Sequence, residues 1–138
     1  MLKVIKKLSH NHSLDIIATY LGAHTFPENS ENSDKKDYLD WLSGESLGLF
    51  KKYAEYFDVF SEKGAFNLEE TQLLLSAAKE AGFKLKAHAG QFTDLGAAGL
   101  AAAMGAVSVD HLENISDVDL GLMADSGTVA VFLPGVPF

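Results

Sequence analysis

No cysteine occurs in the sequence, which excludes a disulfide framework and any thiolate metal site and fits a reducing interior. No apolar run approaches the ~20 residues that a membrane-spanning helix needs. The opening residues, MLKVIKKLSHNH, are basic but alternate too much for the apolar core of a signal peptide. Positive charge is also short. Eleven basic residues face 19 acidic ones, a net charge of −8, which argues against a sequence-independent grip on nucleic acid. These absences leave a cytoplasmic protein with neither membrane nor nucleic acid as a partner. What is present suits that reading: 138 residues, 47% of them hydrophobic, suffice for one domain with a sizeable core.

The apolar pattern predicts alternating elements. Met1 to Leu8 has helical spacing, and Leu14 to Leu21 reads as a β-branched strand stopped by Gly22. The polar stretch 28–37 reads as a solvated loop, followed by a helix over Tyr38 to Phe57 that Gly44 and Gly48 weaken. Phe57 to Phe60 reads as the second strand. Asn67-Leu68-Glu69-Glu70 has the form of a capping box, opening a helix that runs to about Ala81 and ends at Gly82. Phe83 to Ala87 is the third strand, and Asp94 caps a helix through Met104. Val107 to Val109 is the fourth strand, Ser116 or Asp117 opens the last helix, and Thr128 to Leu133 is the fifth strand. Strands and helices in this alternation imply an α/β fold with parallel strands and helical crossovers. TVAVFL is nearly continuously apolar, as in a sheet covered on both faces.

In such folds the site lies where the loops leave the carboxyl ends of the strands. His24 follows the first strand, His88 ends the third and His111 ends the fourth; Glu62 follows the second. One strand-end histidine is ordinarily structural, but three in register, out of five in the chain, point to a site. Together such imidazoles suit a divalent metal or acid–base chemistry at a carbonyl. His10 and His12 precede the first strand and read as solvated. Asp110 lies next to His111, but adjacent strand residues face opposite ways, so it is not placed to orient that ring.

The stretch KAHAGQFTDLGAAGLAAAMGAVSVDHLENIS, followed by SGTVAVFLPG, closely resembles the imidazolonepropionases of the amidohydrolase superfamily. YLGAHTFP and DVFSEKGAFNLEET match further family segments in the same order. The resemblance runs over essentially the whole chain. It implies a partial TIM barrel of five consecutive βα units, similar to strands 3 to 7 of a metal-dependent barrel, with residues 1–138 as a single domain. It implies hydrolysis of 4-imidazolone-5-propanoate to N-formimino-L-glutamate, in histidine degradation, by the complete protein. By the same resemblance His88 is a metal ligand for Zn or Fe, and His111 and Gln91 act at the reacting carbonyl. His24 contacts the small-molecule substrate.

The departures carry their own expectations. The family's paired metal histidines and its metal-binding aspartate belong to the first and last barrel strands, which these 138 residues lack, as they lack the flanking β domain. Gly90 stands where the family usually has Asp, and Gly99 where a Glu is common. A catalytic Zn²⁺ takes about three or four protein ligands, so the chain alone is expected to be inactive and to hold no catalytic metal. A full barrel takes about 250 residues, and five strands leave two open edges, so the chain is expected to form a homo-oligomer through them. Other readings are a related cyclic-amide or deaminating amidohydrolase, and a non-catalytic βα assembly module.

Overall fold

Five short strands lie side by side, all parallel and in chain order. They come from a computed structural model that describes residues 1–27 and 32–135. The elements are α1 (Leu2–Ser9), β1 (Thr19–Ala23), α2 (Asn32–Ser43), α3 (Glu45–Phe50), β2 (Tyr56–Ser61), α4 (Leu68–Glu80), β3 (Lys84–Ala89), α5 (Ala97–Ala103), β4 (Ser108–His111), α6 (Asp117–Ser126) and β5 (Val129–Val131). The strand order carries the argument. Crossovers of one hand joining strands in sequence put every helix on the same face, whereas a doubly wound sheet reverses its order. The result is an open α/β sheet consistent with a partial barrel.

Side-chain alternation along β3 shows the two faces. Leu85, Ala87 and Ala89 are buried, while Lys84, Lys86 and His88 stand on the other face, more open to solvent. The buried set belongs to a core with Phe57, Val59, Phe66, Leu74, Leu75 and Val109, all excluded from solvent. Helix α4 packs on β2 and β3, and α5 on β3 and β4. The capping box is formed. Asn67 Oδ1 accepts from Glu70 N at 2.9 Å, and Glu70 Oε2 accepts from Asn67 N at 2.9 Å.

Several boundaries differ from the sequence reading. The first strand begins at Thr19, because pairing begins there: Thr19 sits opposite Tyr56, and the Ala18 carbonyl accepts from Glu55 N. Leu14 and Ile17, without a partner strand, are exposed. The stretch 28–37 is not simply a loop. Residues 28–31 lie outside the described residues, but α2 is under way from Asn32, with Asp34 in its first turn where the helix dipole favours a carboxylate. The long helix expected over 38–57 breaks at Gly44, and its second part ends at Phe50. Asp94 does not cap α5 directly. Its Oδ1 accepts from Gly96 N at 2.9 Å, and the helix starts only at Ala97.

Candidate active site

The carboxyl ends of β2, β3 and β4 and the loop after β1 bring His24, His88 and His111 together. The His24 and His88 ring centroids are 4.8 Å apart, and those of His88 and His111 are 5.3 Å apart. Phe60, opposite His88 in the sheet register, backs the first two rings, its centroid 6.2 Å from His24 and 6.4 Å from His88. Gln91 lies two residues past the end of β3. Its backbone carbonyl accepts from Asn114 Nδ2 at 3.1 Å, and among the described residues no hydrogen bond ties its side chain to the three rings.

At the centre of the group is a residue that sequence reasoning missed. Asp58, on β2, has a side chain only 2% exposed. Its Oδ1 accepts from His88 Nδ1 at 3.0 Å and lies 3.5 Å from His24 Nε2. Burial alone would raise its pKa, but His24 and His88 beside it outweigh that and hold it down to about 2. His88 moves the other way. Burial lowers its pKa, yet the bond to Asp58 and the charges of Asp58 and Asp110 leave it raised. Lys86, two residues before His88, lies 3.9 Å from Asp58 Oδ2 and 3.6 Å from Asp110 Oδ2. Asp110 Oδ2 is in turn 3.6 Å from His88 Nε2. Two buried carboxylates on β2 and β4 are thus compensated by two bases on the strand between them, as buried charge requires. Asp110 faces this network and not His111, in keeping with strand alternation.

His111 is buried and strained. It and Leu112 both have positive φ, 84° and 71°, a conformation that costs an L residue about 1–2 kcal/mol each. The loops hold them there: Leu112 N donates to the Ala89 carbonyl at 3.1 Å and Asn114 N to the Gly90 carbonyl at 2.7 Å. His111 Nδ1 is buried without a hydrogen-bond partner, 3.8 Å from Glu113 Oε2.

Glu62 clamps two loops together instead of being presented to a ligand. Its Oε2 accepts from Phe92 N at 2.9 Å and Thr93 N at 3.2 Å, and its Oε1 from Lys63 N at 2.7 Å and from the Thr93 hydroxyl. Burial pushes its pKa up, but these donors, the Thr93 hydroxyl foremost, leave it lowered. His10 and His12 are exposed and bonded only locally.

The donors His24, Asp58 and His88 each offer one atom, all within 4.8 Å of one another. That set of two imidazoles and a carboxylate suits a first-row divalent cation in its chemistry. Among the described residues it is the only such cluster.

No protein-family profile matches the chain. Among solved structures, the crystal structure of an uncharacterized protein superposes with a TM-score of 0.57 at 11% identity, covering 93% of this chain and 38% of the other. That likeness concerns the fold alone. Among curated proteins, imidazolonepropionases are similar throughout. That of Shewanella putrefaciens is 44% identical over 138 residues, that of Shewanella frigidimarina 41%, and that of Kosmotoga olearia 44% over 137 residues. Each alignment takes in 98–99% of this chain but 33% of the relative. The chain spans about one third of the length of these relatives, and its sequence is similar to the matching third of each.

Proposed function

We propose that these residues form the substrate-side part of an imidazolonepropionase site, which in the complete protein hydrolyses 4-imidazolone-5-propanoate to N-formimino-L-glutamate. The observation that carries this reading is the convergence of His24, His88 and His111 at the carboxyl ends of β1, β3 and β4, in a chain 41–44% identical to enzymes of that name. In this reading residues 1–138 are one partial barrel domain, and the first and last barrel strands and the flanking β domain lie outside it. His88 would hold Zn or Fe together with ligands from those strands. When bound, the metal supplies Lewis acidity and lowers the pKa of a water to about 7. His24 orients the substrate ring. His111 takes or gives a proton at Nδ1, and Gln91 hydrogen-bonds beside the reacting carbonyl. The cytoplasm is the compartment we assign to it.

A chimera in which residues 1–138 replace the matching third of the Shewanella putrefaciens enzyme tests this reading. It is expected to bind metal and open the imidazolone ring. His88→Ala should lower metal content and reduce turnover by more than the ~100-fold that loss of an outer partner costs. A folded, metal-loaded chimera that leaves the substrate intact would refute the reading.

The same reading extends to assembly. Strands β1 and β5 each pair on one side only, and Leu21, Val129 and Phe132 near them are 54%, 56% and 64% exposed. We infer that the isolated chain self-associates through these edges. Light scattering should report a mass above 14.9 kDa; a monomer at all concentrations sinks the inference.

A further inference from the structure

A carboxylate only accepts hydrogen bonds, so a ring nitrogen that bonds to it must carry the proton. Asp58 Oδ1 meets His88 through Nδ1 at 3.0 Å and His24 through Nε2 at 3.5 Å. His24 Nε2 is buried and has no hydrogen-bond partner; the Asp58 carboxylate is the acidic group beside it. One oxygen therefore addresses opposite nitrogens on two neighbouring rings. In the neutral imidazoles this leaves the lone pair on Nδ1 of His24 and on Nε2 of His88, whose second carboxylate neighbour, Asp110 Oδ2, stands farther off at 3.6 Å. The other Asp58 oxygen is turned toward Lys86, whose charge offsets the buried carboxylate and leaves Oδ1 to the two histidines.

We propose that Asp58 is a positioning residue that sets the tautomers of His88 and His24 together, Nδ1–H on the first and Nε2–H on the second. The functional weight of this assignment rests on the reading above, in which His88 binds metal and His24 binds substrate. A ligating histidine ordinarily donates its second nitrogen to a carboxylate, which orients the ring and strengthens it as a ligand. Asp58 does this for His88 and adds the substrate histidine to the same anchor. The two rings are 4.8 Å apart and nearly perpendicular, with an interplanar angle of 72°. A shift of the Asp58 carboxylate would turn both at once.

The experiment is ring nitrogen NMR on the ¹⁵N-labelled 138-residue chain, followed to alkaline pH until the ring nitrogen shifts cease to change, with peaks assigned from single-histidine variants. The wild type should show His88 as the Nδ1–H form and His24 as the Nε2–H form. Asp58→Asn, whose amide oxygen still accepts, should keep both. Asp58→Leu should release His88 into a mixture of forms while the rest of the spectrum stays dispersed. If Asp58→Leu does not fold, the wild-type spectrum decides by itself: His88 in the Nε2–H form, or in unrestricted exchange, overturns the proposal. A fixed Nδ1–H form in folded Asp58→Leu overturns it as well. In the chimera, Zn²⁺ affinity should fall 10- to 100-fold in Asp58→Leu and recover in Asp58→Asn. The tautomer readout needs neither metal nor turnover. Intact tautomers in an inactive chimera would therefore count against the hydrolase reading and leave the positioning role standing.

Discussion

Gly90→Asp is expected to destabilise the chain by about 3 kcal/mol. Two costs combine. Gly90 has φ +68°, where an L residue pays about 1–2 kcal/mol. A Cβ there would also lie 2.5 Å from the Asn114 carbonyl oxygen and 3.2 Å from its carbon. Those atoms are backbone, and the 2.7 Å bond from Asn114 N to the Gly90 carbonyl ties them in place. Relief by rotating a side chain is therefore closed, and overpacking of this kind costs about 1–3 kcal/mol more. Urea unfolding of the wild type and Gly90→Asp checks the figure, and a change under 1 kcal/mol would show that the β4–α6 loop yields freely. The path of the β4–α6 loop, which passes close to residue 90, thus requires a glycine there. Gly99 has no positive φ and is crowded by side chains, not backbone. Its missing side chain leaves room for the buried Asp119 and for Leu122 of α6, which a Cβ would overlap.

Much of this arrangement was legible in the residues, and the exceptions share a cause. The capping box at Asn67, the parallel order and the strand-end position of His88 all follow from local pattern, and the resemblance to imidazolonepropionases suggested roles for His24, His88 and His111. Asp58 did not show itself. It sits between Phe57 and Val59, and all three are buried, so the strand lacks the alternation that would mark one residue as facing a site. Its meaning depends on His88, thirty residues later in the chain. The one available signal was a carboxylate inside an otherwise apolar strand, which must be paired if it is buried. The start of β1 was hidden for a similar reason, since Leu14 to Ile17 have strand composition but no partner strand. Gly44 weakened the expected helix in the sequence, yet composition could not show that the second part would stop at Phe50 and leave a turn before β2. The left-handed backbone of His111 and Leu112 is imposed by bonds from the neighbouring loops, and no residue type announces it.

Acidification is expected to remove about 2 kcal/mol of stability through Asp58. The folded carboxyl is held at about 2 against an ordinary 3.8, so near pH 3 the unfolded chain binds the extra proton and stability rises with pH. The contribution is complete above about pH 4 and disappears as the pH falls through about 2. His88, with its pKa raised, acts in the opposite sense. Its contribution is present below its ordinary 6.5 and is lost as the pH rises through its folded value. Both effects express the same Asp58–His88 contact and are not to be added. Together they predict a stability plateau between about pH 4 and pH 6.5, falling on either side. Urea unfolding at closely spaced pH values should trace it. Glu62, also lowered, adds to the acid limb in the same direction, so the decisive comparison is Asp58→Asn. That variant should lose about 2 kcal/mol of the acid-side dependence and keep the part due to Glu62. An acid limb unchanged in Asp58→Asn would mean that the buried carboxylate is not what the histidines stabilise. The contact is buried, so the plateau should persist at 1 M salt, where the Debye length is about 3 Å and surface pairs such as Lys84–Glu55 are screened away.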